Sequence, residues 1–200
     1  HPVKIITTAE GGAALTNNKN LFDKLQLFRS HGITREVDNM KNAPHGGWYY
    51  EQIDLGFNYR MTELQAALGC SQIKRIENFV LKRNNIAEFY NQEFCNLPID
   101  IPKIDKNSIS SYHLYIIKIS SNNEKERLKL YSYLKENGLG VNVHYIPVHM
   151  QPYYRSLGFS DGDFPEAERY YKSAISIPLH PGLTQANQNY IVKKLENFFL

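Results

Sequence analysis

The residue with the clearest chemical potential is Lys4, which lies in the run HPVKIITTAEGG at positions 1–12. Its neighbours are apolar and β-branched, and an acid and two glycines follow at Glu10, Gly11 and Gly12. These surroundings favour a buried amine with a pKa lowered toward neutrality, and only the free amine can form a Schiff base with an aldehyde. The pattern therefore predicts a reactive lysine, and the alternative is an edge-strand lysine that points at water.

A second group of polar side chains precedes a predicted helix. Thr62 and Gln65 have the spacing of a capping box, so a helix is expected to begin there, with Asn58 and Arg60 just ahead of it. Unpaired backbone N–H groups and the positive end of the helix dipole, next to Asn and Arg donors, suit phosphate oxygens. The segment predicts phosphate binding, and the alternative is a loop in which Asn58 forms a turn and Arg60 is solvated.

A third group is the run NVHYIPVH at positions 142–149. In a strand, His144 and Tyr145 point to opposite faces, so one of them can point into a cleft. His144 is a candidate to move a proton or bind an oxygen, and the alternative is a partly buried histidine satisfied by its neighbours. His149 is predicted to lie on a loop rim. No metal site is expected, because no carboxylate or thiol stands at ligand spacing.

The elements that carry these residues follow from the apolar pattern. Residues 4–8 and 13–16 predict a hairpin that holds Lys4, and residues 17–29 predict a helix. A single long helix is predicted over residues 63–93. Strands alternating with helices are predicted after residue 98: strands at 112–119, 141–146 and 174–178, and helices at 123–137, 164–172 and 184–199.

Between the first helix and the long helix, an irregular segment over residues 33–54 carries the aromatic run Trp48–Tyr49–Tyr50. Loops of this length inside compact domains are usually functional or form interfaces.

The composition restricts the class of protein. The net charge is +3 with the signs interspersed, which does not favour a nucleic-acid partner. No run approaches the roughly 18 apolar residues of a membrane span and no signal peptide is recognisable, so we expect a cytoplasmic protein without a membrane partner. Two cysteines predict neither a disulfide framework nor a metal site. The start at His1–Pro2, beside a predicted strand, indicates the carboxyl-terminal part of a longer protein.

Several of these runs together resemble one family. The runs at positions 1–12, 29–32 (RSHG), 56–61 (GFNYRM) and 143–147 (VHYIP) are similar to the pyridoxal-phosphate sugar aminotransferases of the DegT/DnrJ/EryC1/StrS family. The similarity keeps the same order over essentially all 200 residues. The runs at 47–52, 144–154 and 162–168 resemble the branch that acts in pseudaminic acid biosynthesis.

This resemblance implies an α/β fold, namely the carboxyl-terminal part of a fold-type I aminotransferase that depends on pyridoxal 5'-phosphate (PLP). Residues 1–62 would form the end of the large PLP-binding domain, residues 63–98 a long connecting helix and linker, and residues 99–200 a small α/β domain. The resemblance also implies PLP as the cofactor and a homodimer with shared active sites.

The resemblance assigns roles by position. Lys4 matches the catalytic lysine, which binds PLP and moves the proton. Asn58 matches a residue that reaches across the dimer interface to the cofactor or substrate phosphates, and Arg60 is a candidate for the same duty. The nucleotide-sugar pocket would be lined by the segment that contains Asn142, Val143, His144 and Tyr145.

The implied reaction transfers an amino group from L-glutamate to C4 of a UDP-4-keto-6-deoxy-N-acetyl-hexosamine. Two alternatives stay open: an aminotransferase of the same family that acts on another nucleotide-linked keto sugar, and a non-catalytic relative with a regulatory or structural role. Retention of Lys4 argues against the second, because a structural protein needs no amine there.

Overall fold

The computed structural model describes residues 1–200, which form two compact units, His1–Lys74 and Arg75–Leu200. The predicted domain boundaries of the whole subunit, after residues 62 and 98, stay a prediction. None of the helices combines the length and apolar character needed to cross a membrane.

The first unit holds two α-helices, a 3₁₀ turn (Val37–Asn39) and one short strand pair. The second α-helix begins where the sequence predicts, and the first begins at residue 19 instead of the predicted residue 17. Helix α1 (Lys19–Arg29) starts at Asn18, whose side chain accepts from the Leu21 N–H. Helix α2 (Glu63–Ile73) starts with the predicted capping box of Thr62 and Gln65. Strands β1 (Ile33–Thr34) and β2 (Glu51–Gln52) pair antiparallel and close the base of the loop between them.

The predicted hairpin that would carry Lys4 is wrong. Residues 1–18 form turns and bends without any strand. The Ala9 N–H donates to Thr7 Oγ1 (3.0 Å), Thr8 Oγ1 donates to the Glu10 carbonyl (3.0 Å), and Ala9 has a φ of 65°. These local side-chain bonds compete with strand pairing, and two strands this short are only marginally stable without further strands.

Two other predicted elements also differ from the structure. The single helix over residues 63–93 is broken, because Lys74 and Arg75 separate α2 from α3 (Ile76–Glu93) and Arg75 has non-helical dihedral angles. The strand predicted at 141–146 is absent, since only Asn142 pairs, in a single bridge to Ser176.

At the end of α1, Gly32 and Gly56 let two segments of the backbone pass each other in direct contact, an arrangement called here the glycine crossing. Gly32 has a φ of 68°, and a Cβ atom there would lie 1.9 Å from the Asp54 carbonyl oxygen. A Cβ atom on Gly56 would lie 2.1 Å from the Gly32 nitrogen. Alongside this contact the His31 N–H donates to the Phe57 carbonyl (2.7 Å). The segment at 53–59 therefore lies against the end of α1 at backbone distance, which only glycine permits.

The second unit is a three-stranded antiparallel sheet covered by helices. The strand order is β3 (Ile99–Asp100), β4 (Tyr115–Ile119) and β5 (Ala174–Ile177). A sheet combined with helices confirms the predicted α/β fold for this part. The helices are α3, α4 (Glu124–Glu136), α5 (Pro152–Ser156), α6 (Pro165–Ser173) and α7 (Gln185–Phe199).

A buried arginine joins three segments of the second unit. Arg83 Nη1, on α3, donates to the carbonyl oxygens of Tyr112 (3.0 Å), His113 (3.3 Å) and Leu179 (3.0 Å). Burial lowers the pKa of Arg83. The guanidinium thus ties α3 to the segments that precede β4 and follow β5.

The two units bury very different amounts of side chain. The second unit has a continuous core of aliphatic and aromatic residues, with Tyr90, Tyr115 and Leu130 fully enclosed. In the first unit only Gly32 and Thr34 are buried. The first unit is therefore organised by backbone and polar contacts rather than by a core of its own.

We expect Gly56→Ala to break the crossing in the first unit, because the new Cβ would meet backbone that cannot move aside. The loss should be at least about 2 kcal/mol of local stability. Amide hydrogen exchange at His31 and Phe57 measures it. The matched control is Gly47→Ala, whose Cβ would contact nothing within 4 Å. Unchanged protection in Gly56→Ala would contradict the prediction.

Candidate functional site

Lys4 is exposed in this chain, so the prediction of a buried amine is wrong. Its N–H donates to the His1 carbonyl in a turn (3.2 Å), and residues 5–8 are only half-buried. The physical reason is that the first unit has no apolar core that could cover the amine.

The segment after Lys4 packs on α2 and on the residues just before it. A Cβ atom on Gly69 would lie 2.9 Å from the Thr8 methyl carbon, and one on Gly11 would lie 2.5 Å from Met61 Cε. These close approaches place the turn that follows Lys4 against α2 and the residues just before it.

Asn58 and Arg60 form a hydrogen-bonded cluster with His31. Arg60 Nε donates to Asn58 Oδ1 (2.8 Å), and Arg60 Nη2 lies 3.3 Å from His31 Nε2. Asn58 also forms a backbone bridge to Ser30, next to the glycine crossing. An amide and a guanidinium side by side, just before a helix, can bind an anion through several N–H groups.

His31 is the member of this cluster to which the sequence analysis assigned no role. It belongs to the RSHG run and has a φ of 63°, so its backbone is in the left-handed region. A guanidinium only donates, so the contact with Arg60 uses His31 Nε2 as the acceptor and requires a neutral ring.

A single carboxylate organises the aromatic loop between β1 and β2. Glu51 accepts hydrogen bonds from the Lys41 N–H (2.5 Å), the Asn42 N–H (2.9 Å), Asn42 Nδ2 (2.8 Å) and the Tyr49 hydroxyl (2.8 Å). These donors, the Lys41 N–H above all, lower the pKa of Glu51 to about 2. The same contact raises the pKa of Tyr49. The loop is thus folded around Glu51, and it displays Trp48 with 72% of its surface exposed.

In the second unit, His144 is held by a serine of β5. His144 Nδ1 lies 2.7 Å from Ser176 Oγ, and the rings of His144 and Tyr145 are perpendicular with centroids 4.6 Å apart. Asn142 and Ser176 exchange backbone hydrogen bonds (3.1 and 2.8 Å), which sets the register between the two segments. Val143 is half-buried and Tyr145 is exposed. The structure therefore brings Asn142 and His144 together, and adds Ser176, which the sequence analysis missed.

His149 lies inside the second unit rather than on a loop rim as predicted. A 3₁₀ turn at Val148–Met150 turns it inward, and its Nε2 lies 2.9 Å from Glu168 Oε1. Glu168 also accepts from the Gly162 N–H (2.6 Å), and the bond to His149 lowers the pKa of this carboxyl. His149 is therefore a structural residue that connects the turn to α6.

The sequence matches one family along nearly its whole length. The profile of the DegT/DnrJ/EryC1/StrS aminotransferase family covers residues 1–196. A UDP-4-amino-4,6-dideoxy-N-acetyl-beta-L-altrosamine transaminase of Campylobacter jejuni is 35% identical over 192 residues, which are 96% of this chain and 48% of that protein.

Solved structures of aminotransferases are also similar to this chain. An aminotransferase of Helicobacter pylori, PseC, involved in the biosynthesis of pseudoaminic acid, superposes with a TM-score of 0.86 and is 32% identical, over 100% of this chain and 51% of that chain. The PLP form of Spr1654, a putative sugar aminotransferase of Streptococcus pneumoniae, gives 0.85 with 27% identity, over 99% and 50%. The chain spans about half the length of the relatives it matches.

We expect Glu51→Gln to loosen the aromatic loop, because an uncharged amide accepts fewer and weaker bonds than the carboxylate. Acid should have the same effect in the wild type. The pKa of Glu51 is lower in the folded loop than its ordinary 4.5, so the stabilisation is complete above pH 4.5 and is lost as pH falls toward about 2.

Hydrogen exchange at the Lys41 and Asn42 amides checks both changes. Glu36→Gln, at the other end of the same loop, removes the same charge and serves as the control. Equal exchange in the two variants would show that the carboxylate does not organise the loop.

Proposed function

Since the chain belongs to the DegT/DnrJ/EryC1/StrS aminotransferase family, we propose that it forms part of a PLP-dependent nucleotide-sugar aminotransferase. The observation that carries the proposal is the donor set of the first unit. It contains an exposed primary amine, Lys4, and a paired amide and guanidinium, Asn58 and Arg60. An amine suits an aldehyde and the pair suits a phosphate, and PLP carries both groups, the aldehyde as its reactive group and the phosphate as an anionic anchor.

The proposed roles follow from the chemistry of these groups. When bound, PLP supplies an electron sink that stabilises negative charge at the carbon that loses a proton. Lys4 Nζ would hold the aldehyde end. As a free amine, Lys4 would act as the general base that takes the proton from the donor carbon and as the general acid that delivers a proton to the acceptor carbon.

For the substrates, we propose L-glutamate as the amino donor and C4 of a UDP-4-keto-6-deoxy-N-acetyl-hexosamine as the acceptor. Support comes from the relatives, of which one is named a UDP-sugar transaminase and another is involved in pseudoaminic acid biosynthesis. Asn142, Val143, His144 and Tyr145 would line the nucleotide-sugar pocket. Their exposed polar edge, with the imidazole fixed by hydrogen bonding, supports this role.

For the assembly, we propose a homodimer in which Asn58 and Arg60 serve the partner's active site. The first unit supports this role because it leaves large apolar side chains exposed, among them Trp48 and Leu55. Aromatic residues without cover are typical of the buried part of interfaces.

The test of the cofactor is the absorption spectrum of the full-length protein with PLP. We expect a band from the covalent link in the wild type and in Lys24→Ala, which removes another exposed lysine of the first unit. Lys4→Ala and Lys4→Arg should lack it, because neither can form the link at neutral pH. Adding L-glutamate should bleach the band, and the UDP-keto sugar should restore it.

A band that persists in Lys4→Ala would contradict the role of Lys4. If only a different nucleotide-linked keto sugar restores the band, the protein is still an aminotransferase but the proposed substrate is wrong. If the wild type shows no band, the proposed cofactor is wrong and the alternative of a non-catalytic relative applies.

Shared active sites are tested by mixing two inactive full-length variants, Lys4→Ala and Asn58→Asp. The second places a negative charge where phosphate would bind. If Asn58 serves the partner's site, each mixed dimer has one intact site, and about a quarter of the wild-type activity should return. Mixtures that stay inactive would place Lys4 and Asn58 in a site within one subunit.

A further inference from the structure

The hydroxyl of Ser176 has an unusual position for a polar group. Ser176 lies in the middle of β5, is only 4% exposed, and is flanked by the buried Ile175 and Ile177. Burial of a hydroxyl costs free energy unless a hydrogen bond compensates, and here the partner is His144 Nδ1 at 2.7 Å.

The sheet holds this serine from both sides. Its backbone pairs with Ile116 of β4 on one side and exchanges two hydrogen bonds with Asn142 on the other. A side chain on a strand that is paired on both edges has a fixed direction, which is the condition for accurate positioning of a neighbour. Ser176 can therefore fix the plane of the His144 ring.

The contacts also favour one of the two neutral forms of the His144 ring. Asn142 Oδ1 accepts from the Val143 N–H (2.8 Å), so the Asn142 amide presents Nδ2 toward His144 Nε2, at 3.5 Å. An amide nitrogen only donates, so Nε2 faces it as an acceptor. This arrangement favours the neutral form that carries the proton on Nδ1 and donates it to Ser176 Oγ.

We propose that Ser176 is a positioning residue that holds His144 in the Nδ1–H tautomer, so that Nε2 accepts a hydrogen bond from a hydroxyl or N–H group of the nucleotide sugar, which replaces the 3.5 Å contact with Asn142 Nδ2. The identity of this ligand as a nucleotide sugar rests on the proposed function. The exposed Tyr145 ring packs perpendicular to the His144 ring, so a fixed His144 ring also orients the Tyr145 ring.

The first test observes the imidazole itself, by ¹⁵N NMR of the full-length protein labelled at histidine, with His144→Gln to assign the signal. We expect neutral His144 to be mainly Nδ1–H in the wild type and in Ser176→Thr, which keeps the hydroxyl. Ser176→Ala should lose this preference. Ser173→Ala is the matched control, because Ser173 is equally buried but its hydroxyl bonds to carbonyls of its own helix.

A second variant keeps the proposal testable if Ser176→Ala does not fold. Asn142→Asp, at an exposed position, replaces the donor that faces Nε2 with an acceptor, so the proton should move to Nε2. A wild-type ring that is mainly Nε2–H, or a tautomer that neither variant changes, would overturn the proposal.

The kinetic test separates positioning from general damage. Ser176→Ala should raise KM for the UDP-keto sugar about tenfold, the effect of one lost hydrogen bond, and leave the half-reaction with L-glutamate unchanged. Ser176→Thr should restore KM. Equal losses in both half-reactions would indicate damage to the fold and overturn the role in the sugar site. An Nδ1–H tautomer that depends on Ser176, in a protein that aminates no nucleotide sugar, would support the control of His144 and overturn the proposed function.

Discussion

The contact between the backbones of Gly32 and Gly56 is the constraint on which the first unit depends. Neither position has room for a Cβ atom, so the segment after β2 reaches the end of α1 at hydrogen-bonding distance. Asn58 then lies beside the end of α1, and Arg60 bridges Asn58 and His31. The cluster of Asn58, Arg60 and His31 thus follows from two residues that have no side chain.

The two units solve the problem of positioning polar groups in different ways. In the first unit, where almost nothing is buried, hydrogen bonds define the geometry: the glycine crossing near Asn58 and the Glu51 carboxylate in the aromatic loop. In the second unit a packed core fixes β5, and β5 fixes the ring of His144 through Ser176. The candidate phosphate-binding residues thus lie on a polar framework, and the candidate sugar-binding residues lie at the margin of a rigid sheet.

The sequence predicted the features that depend on neighbouring residues. The capping box at Thr62 and the family motifs that contain Lys4 and Asn58 are local, and the helix start and the family are confirmed. The hairpin at Lys4, the helix over residues 63–93 and the strand at 141–146 were wrong. Local backbone conformations at Ala9 and Arg75 interrupt the first two, and the third needed pairing with a distant segment, of which only the bridge from Asn142 to Ser176 forms. Ser176 and His149 illustrate the same limit, since no local pattern shows that a serine on a buried strand binds a histidine or that a turn points a histidine inward.

Arg83 joins three segments of the second unit through hydrogen bonds that do not depend on an ion pair. Its partners are three backbone carbonyl groups, which neither gain nor lose protons. Added salt screens exposed pairs such as Arg155 with Asp161, and strong acid neutralises their carboxylates. The joint at Arg83 has no such counter-ion to lose, so its three hydrogen bonds do not depend on the charge of a carboxylate.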